Sequence, residues 1–152
     1  MDHPNTPHQL CTFRVGSCQL GIDIAKVREV LAYADLTPVP HADPAIRGLC
    51  NLRGQIATTI DLGIRLGIDP DEHGDDPVHV VVQSTREPVT LLVDAIGDVI
   101  DADPERYEAP PSTMIGSSRE LIVGAYKLDH ELLLVLDVER AVQPVSAPVA
   151  AR

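Results

Sequence analysis

Catalysis needs reactive side chains at set spacings, and this chain has few. No Gly-x-Ser-x-Gly surrounds Ser17, Ser84, Ser112, Ser117, Ser118 or Ser146, so no serine has the sharp turn that exposes a nucleophile. A Walker A lysine motif is absent, and Gly16, Gly21, Gly48 and Gly54 do not space as a dinucleotide-binding loop. The six histidines, His3, His8, His41, His73, His79 and His130, fall in a tail, in loops or at isolated strand positions, with no pair at helical ligand spacing beside a carboxylate. Within Asp69 to Pro77, Asp69, Asp71 and Gly74 match positions 1, 3 and 6 of a calcium loop. His73 stands at position 5, however, and Val80 replaces the bidentate Glu needed at position 12. The residues therefore predict no enzyme, no metal site and no cofactor.

What remains is recognition chemistry. Asn51-Leu52-Arg53-Gly54 has two open readings. In the more economical one it is a hairpin turn, since Asn and Gly tolerate positive φ and Arg points to solvent. In the other, a rigid turn displays one guanidinium, a multidentate donor suited to a carboxylate or carbonyl of a partner protein.

Composition narrows the partners. The chain has 152 residues, 44% of them hydrophobic, which is enough for one compact domain or two small fused barrels. With 12 Lys+Arg against 23 Asp+Glu, the net charge of -11 repels a phosphate backbone or an anionic leaflet. Phe13, Tyr33, Tyr107 and Tyr126 are too few aromatics for a base-stacking platform, so neither nucleic acid nor direct membrane binding is expected. No run approaches the roughly 20 apolar residues of a spanning helix, and Met1 to Leu10 lacks the features of a signal peptide, so a cytoplasmic location is expected. Cys11, Cys18 and Cys50 form no C-x-x-C pair and read as free thiols.

The elements that would position these residues repeat. Ile46 to Leu62 aligns without gaps with Ile122 to Val138 at an offset of 76, matching Gly48 with Gly124, Leu52 with Leu128, Ile60 with Leu136 and Asp61 with Asp137. Upstream, Ile24 to Val30 matches Val93 to Val99 at an offset of 69. A small β module of about 70 residues used twice is the natural reading. Residues 10–15 and 19–24 flank the turn signal Gly16-Ser17 as a hairpin, and 27–31 continues extended. Thr37-Pro38-Val39-Pro40 breaks regular structure, and Asp43-Pro44-Ala45-Ile46 predicts a short helical turn capped by Asp43. Strands follow around Asn51–Gly54. Asp61 then caps a helix over Leu62 to Leu66, and Asp137 caps another over Val138 to Val142. Val78 to Val82 and Val89 to Val93 read as a second hairpin, and Asp101 to Glu120 as a loop with room for one helical turn. Residues 1–9 and 143–152 are expected to be flexible tails around a domain at 10–142. Many short strands and a duplicated unit predict an all-β fold.

The successive blocks Gly21-Ile22-Asp23-Ile24, Val27-Arg28-Glu29-Val30, Thr37-Pro38-Val39-Pro40, Ile46-Arg47-Gly48-Leu49, Asn51-Leu52-Arg53-Gly54 and Ile60-Asp61-Leu62, with Val93-Asp94, Asp98-Val99 and Asp137-Val138 downstream, resemble the CheW-like domains of bacterial chemotaxis over residues 10–142. That resemblance implies two SH3-like five-stranded β-barrels packed side by side, with a few short helices. It implies a non-enzymatic adaptor that couples the cytoplasmic tip of methyl-accepting chemoreceptors to the regulatory domain of the CheA-type histidine kinase, recruited to membrane-associated receptor arrays. The alternative is a CheW-like scaffold of another chemosensory or pilus-motility array. By motif, Val27 and Val99 would line a groove as apolar contacts, Glu29 would sit at its edge, and Arg53 would contact a partner or orient the interface. Two segments depart from the family pattern: Ala57-Thr58-Thr59 stands where a proline and apolar residues are common, and Gln55 replaces an apolar residue.

Overall fold

The computed structural model describes residues 9–68, 76–84, 87–112 and 117–146. The acidic run Asp69 to Asp75 lies outside the described residues, as do residues 1–8 and 147–152 of the tails expected at 1–9 and 143–152. The chain opens with a hairpin of β1 (Gln9–Val15) and β2 (Cys18–Asp23), followed by β3 (Val27–Leu31), β4 (Ile46–Leu52), β5 (Gln55–Asp61) and α1 (Leu62–Leu66). A second hairpin, β6 (Val78–Gln83) and β7 (Pro88–Val93), precedes β8 (Ala95–Asp101) and the short β9 (Tyr107–Glu108). Then come α2 (Ser117–Leu121), β10 (Ile122–Lys127), β11 (Leu132–Leu136) and α3 (Val138–Ser146).

Two mixed sheets result, ordered β8-β1-β2-β11-β10-β9 and β3-β6-β7-β5-β4. Reading β8 for β3, β1 for β6, β2 for β7, β11 for β5 and β10 for β4 makes the first five strands of the one sheet follow the order of the other. The registers carry the same correspondence. Ile46 and Gly48 face Ile60 and Thr59 across a bulge, and Ile122 and Gly124 face Leu136 and Val135 across the matching bulge, 76 residues on. Val27 and Glu29 face Val82 and Val81, while Ile96 and Val99 face Phe13 and Cys11, each pair of strands again slipping by one residue. Both sheets contain one parallel contact, β5 with β7 and β11 with β2. The fold is all-β, with two SH3-like units. The opening hairpin pairs with the C-terminal strands, so the second unit closes around the first residues of the chain.

The glycines at the bulges have a common task. A Cβ on Gly48 would lie 2.7 Å from Thr37 O, and one on Gly124 would lie 2.1 Å from the Tyr107 hydroxyl. In each unit a further segment crosses directly over the glycine. Thr37 bonds Leu49 in both directions at 2.8 Å, and β9 pairs with Ala125 and Tyr126. The first crossing is a single bridge and the second a short strand, which is why one sheet has six strands where five were expected.

The capping aspartates behave alike. Asp61 accepts from Ile64 N at 3.2 Å, and Asp137 accepts from Arg140 N at 3.1 Å. Their own amides bond Ala45 O and Leu121 O, once more 76 residues apart. At the far end of α1, Gly67 takes φ 78°, with Ile68 N donating to Gly63 O, a Schellman stop. Three expectations need correction. Asp43 accepts from Ala45 N at 2.8 Å, but the turn it holds is not helical, and Ile46 already begins β4. The helix expected to stop at Val142 continues to Ser146. The expected loop at 101–120 holds a 3-10 turn at Pro104–Arg106, β9 and most of α2, elements that its three prolines conceal in the sequence.

One core serves both units. Phe13, Leu20 and Ile22 of one sheet and Ile60, Val80 and Leu91 of the other belong to the same buried cluster, together with Leu62 of α1 and Val138 and Ala141 of α3. β7 is buried along its whole length between β5 and β6, as a central strand covered on both faces should be. The departing segment Ala57-Thr58-Thr59 is accommodated inside β5. Ala57 and Thr59 are buried, and the Thr59 hydroxyl donates to Cys50 Sγ at 3.6 Å, with Thr90 Oγ1 a further 3.8 Å from that sulfur.

Buried His79 on β6 occupies the position that Leu10 holds in the other unit, and its Nδ1 has no partner among the described residues. Burial pushes its pKa below the ordinary imidazole value. Because the unfolded chain takes up a proton near pH 6.5 that the folded chain refuses, stability is full above that pH and falls as pH drops through it. Replacing His79 with Leu should flatten this dependence, and urea titrations at pH 7.5 and 5.5 should give equal stabilities for the variant but a loss of about 1 kcal/mol for the parent.

Candidate protein-binding site

Glu29 lies on β3 and Arg53 on the β4–β5 turn, at opposite edges of the five-stranded sheet. Flat, that sheet would hold its edges about 19 Å apart, four strand spacings of about 4.8 Å. Yet Arg53 Nη1 lies 2.8 Å from Glu29 Oε2 and Nη2 lies 3.0 Å from Oε1, a bidentate pair that requires the sheet to curl until its edges face. The turn that presents Arg53 is tight. Leu52 pairs with Gln55, and the two residues between, Arg53 and Gly54, take φ 55° and 88°, the pattern of a type I′ hairpin. Asn51 Oδ1 accepts from Gly54 N at 2.7 Å and locks the turn from inside the strand.

The Arg53 side chain is 79% exposed and that of Glu29 21%. An exposed pair of this kind contributes under about 1 kcal/mol to folding. Its value is therefore geometric, since the carboxylate holds a solvent-facing guanidinium in one orientation. At the matching positions of the other unit stand Asp98 and Asp129, two acids that cannot pair with each other, and Asp129 binds Arg106 at 3.3 Å instead. The displayed guanidinium is thus a property of one unit alone.

β3 is an edge strand with an alternating pattern, Arg28 and Val30 outward, Val27, Glu29 and Leu31 partly covered. A 3-10 turn at Ile24–Lys26 feeds it, capped by Asp23 Oδ1 accepting from Ala25 N at 2.9 Å. Val27 packs against the common core and is half-buried. Val99 is 49% exposed on β8, the edge strand of the other sheet, which stays open to solvent from Ala95 to Val99. Of the four residues singled out in the sequence, Glu29 and Arg53 are brought into contact, while Val27 and Val99 sit on different sheets at different depths.

Sequence reasoning passed over exposed apolar residues on the same strands or beside the Arg53 turn: Val30 of β3 at 44%, Ile96 of β8 at 38% and Ile56 of β5 at 54%. A signal for two of them was present. The offset of 69 sets Val30 against Val99 and Ile96 against Val27, so each valine named in one unit had an apolar counterpart in the other. Among the described residues, no three His, Cys, Asp or Glu side chains converge as a metal site would require. The arrangement offers apolar side chains on open strand edges and one oriented guanidinium, a combination suited to docking another protein.

The family model described as CheW-like domain matches residues 9–145. A protein of Rhizobium etli named probable chemotaxis protein CheW is 30% identical over 131 residues, 86% of this chain and 84% of that one. The chemotaxis protein CheW of Treponema pallidum is 31% identical over 136 residues, 87% of this chain and 80% of its own. The crystal structure of the scaffolding protein TtCheW from Thermoanaerobacter tengcongensis superposes with a TM-score of 0.81 at 27% identity, covering 91% of this chain and 94% of that one.

Proposed function

We propose that this chain, which belongs to the CheW-like domain family, is a chemotaxis adaptor that links receptors to a histidine kinase without catalysing a reaction. The observation that carries this reading is the similarity along residues 9–145 to proteins named chemotaxis protein CheW and to a scaffolding protein of that name. The surface chemistry supports it. Apolar edge residues Val30, Ile96 and Val99 offer desolvation energy to a helical partner, and rim charges select it. In this reading the partners are the cytoplasmic tip of a methyl-accepting receptor and the regulatory domain of a CheA-type kinase. Val27 anchors β3 to the core and so fixes the strand that presents Val30, Glu29 orients Arg53, and Arg53 makes the polar contact with a partner. The adaptor works in the cytoplasm, gathered to receptor arrays by those partners. No helix among the described residues is long and apolar enough to cross a membrane.

The test is titration calorimetry of the full chain against the regulatory domain of the CheA-type kinase from the same organism, with Arg53→Glu in parallel. Saturable binding by the parent is expected. Arg53→Glu should weaken it by about 1–2 kcal/mol, roughly 5- to 30-fold, while circular dichroism confirms an unchanged fold. A folded parent that does not bind removes the kinase as partner and directs the search to the kinase of another chemosensory array. Normal binding by the variant would leave Arg53 as a turn residue only.

A further inference from the structure

Residue 144 is a proline inside α3, Val138–Ser146. Proline has no N–H, so the carbonyl of Arg140, four residues earlier, lacks its intrahelical donor. A donor reaches it from elsewhere in the chain. Arg65 of α1 places Nη2 3.2 Å from Arg140 O and Nε 3.1 Å from Ala141 O. The helix that supplies the donor follows β5 of one sheet, and the helix that receives it follows β11 of the other. Arg140 continues the connection, with Nη1 3.3 Å from Glu120 O in α2. On its inner face α3 buries Val138, Ala141 and Val142 in the core that both units share. The apolar face thus seats the helix, and the guanidinium fixes where it lies along and across α1.

We propose that Arg65 is the donor that Pro144 makes necessary, and that this bond clamps α3 to α1 so that the two β units keep one mutual orientation. A guanidinium is suited to the task because its fork reaches two successive carbonyls at once, which a lysine ammonium on a flexible stem does not. The pair also accounts for a proline persisting in a helix that the rest of the sequence caps and packs as regular.

A double-mutant cycle on the full chain tests the pairing. In urea unfolding, Arg65→Ala should raise the unfolding constant about tenfold, the scale of a hydrogen bond to a charged donor. In a Pro144→Ala background the Arg140 carbonyl regains a backbone donor, and the same Arg65→Ala change should raise the constant about threefold or less. The gain in helix propensity from removing proline enters both arms and cancels. Equal factors in the two backgrounds would overturn the pairing. Arg65→Lys should fall between, and it replaces the alanine variant in the cycle should that variant not fold. The clamp has its own readout, one that a purely local contribution to stability leaves unmoved. Residual dipolar couplings from the two sheets should give a changed relative orientation in Arg65→Ala, with or without Pro144→Ala, because the regained backbone donor lies within α3 and does not reach α1. An orientation unaltered by Arg65→Ala would refute the clamp.

Discussion

Gly48→Val is expected to cost at least about 3 kcal/mol of folding stability, a large share of the roughly 5–15 kcal/mol that holds a domain folded. Two costs add at this position. Gly48 has φ 149°, a backbone conformation that a β-branched residue rarely adopts. A Cβ there would also stand 2.7 Å from Thr37 O and 3.1 Å from Thr37 C. Those are backbone atoms, tied to Leu49 by two bonds of 2.8 Å, so the neighbour cannot retreat without giving up the bridge. The matching change at Gly124 should be milder. There the obstacle is the Tyr107 ring, which can swing away at the loss of its 3.0 Å bond to Val123 O and its edge contact with Tyr126. Urea denaturation of the two variants side by side checks the order, and a Gly48→Val cost below that of Gly124→Val would contradict the backbone crossing.

Phe13→Ala should cost about 3–5 kcal/mol and lower both units together. Phe13 is fully buried on β1, and the cluster it belongs to includes Ile60, Val80 and Leu91 of the other sheet. A cavity at that point removes contacts from both units, so unfolding should remain a single transition. Hydrogen exchange is the decisive measurement. Amides of β5 to β7 and of β10 and β11 should lose protection by the same factor, and retention of protection in one sheet while the other opens would mean that the core is not shared.

Much of this fold was legible in the residues. The offset of 76 marks the bulge glycines, the Asp caps and the β4–β5 and β10–β11 hairpins, because each depends on a few residues within one local stretch. The match to Ile24–Val30 at an offset of 69 likewise marks the two edge strands. The apolar partners of Val27 and Val99 could have been drawn from the same alignment. The length of α3 could not, because Pro144 argues locally for a stop, and the donor that lets the helix continue comes from Arg65, 75 residues earlier than the carbonyl it bonds. β9 was hidden for a similar reason. Two residues between prolines carry no strand signal of their own, and Tyr107–Glu108 is strand only because β10 offers an open edge beside Gly124.

The sequence by itself determined the all-β class, the duplicated module, the two Asp-capped helices and the turn that displays Arg53, for all of these follow from local periodicity, φ preference and side-chain capping. Tertiary structure alone decided that the opening hairpin completes the C-terminal unit, that Glu29 and Arg53 meet across the curled sheet, and that Val27 sinks toward the core while Val30 and Val99 stay outside. The physical reason is common to these outcomes. Strand pairing and edge closure join residues distant along the chain, and which of several apolar edges meet is set by how the whole molecule buries its surface at once, information that no short stretch of residues contains.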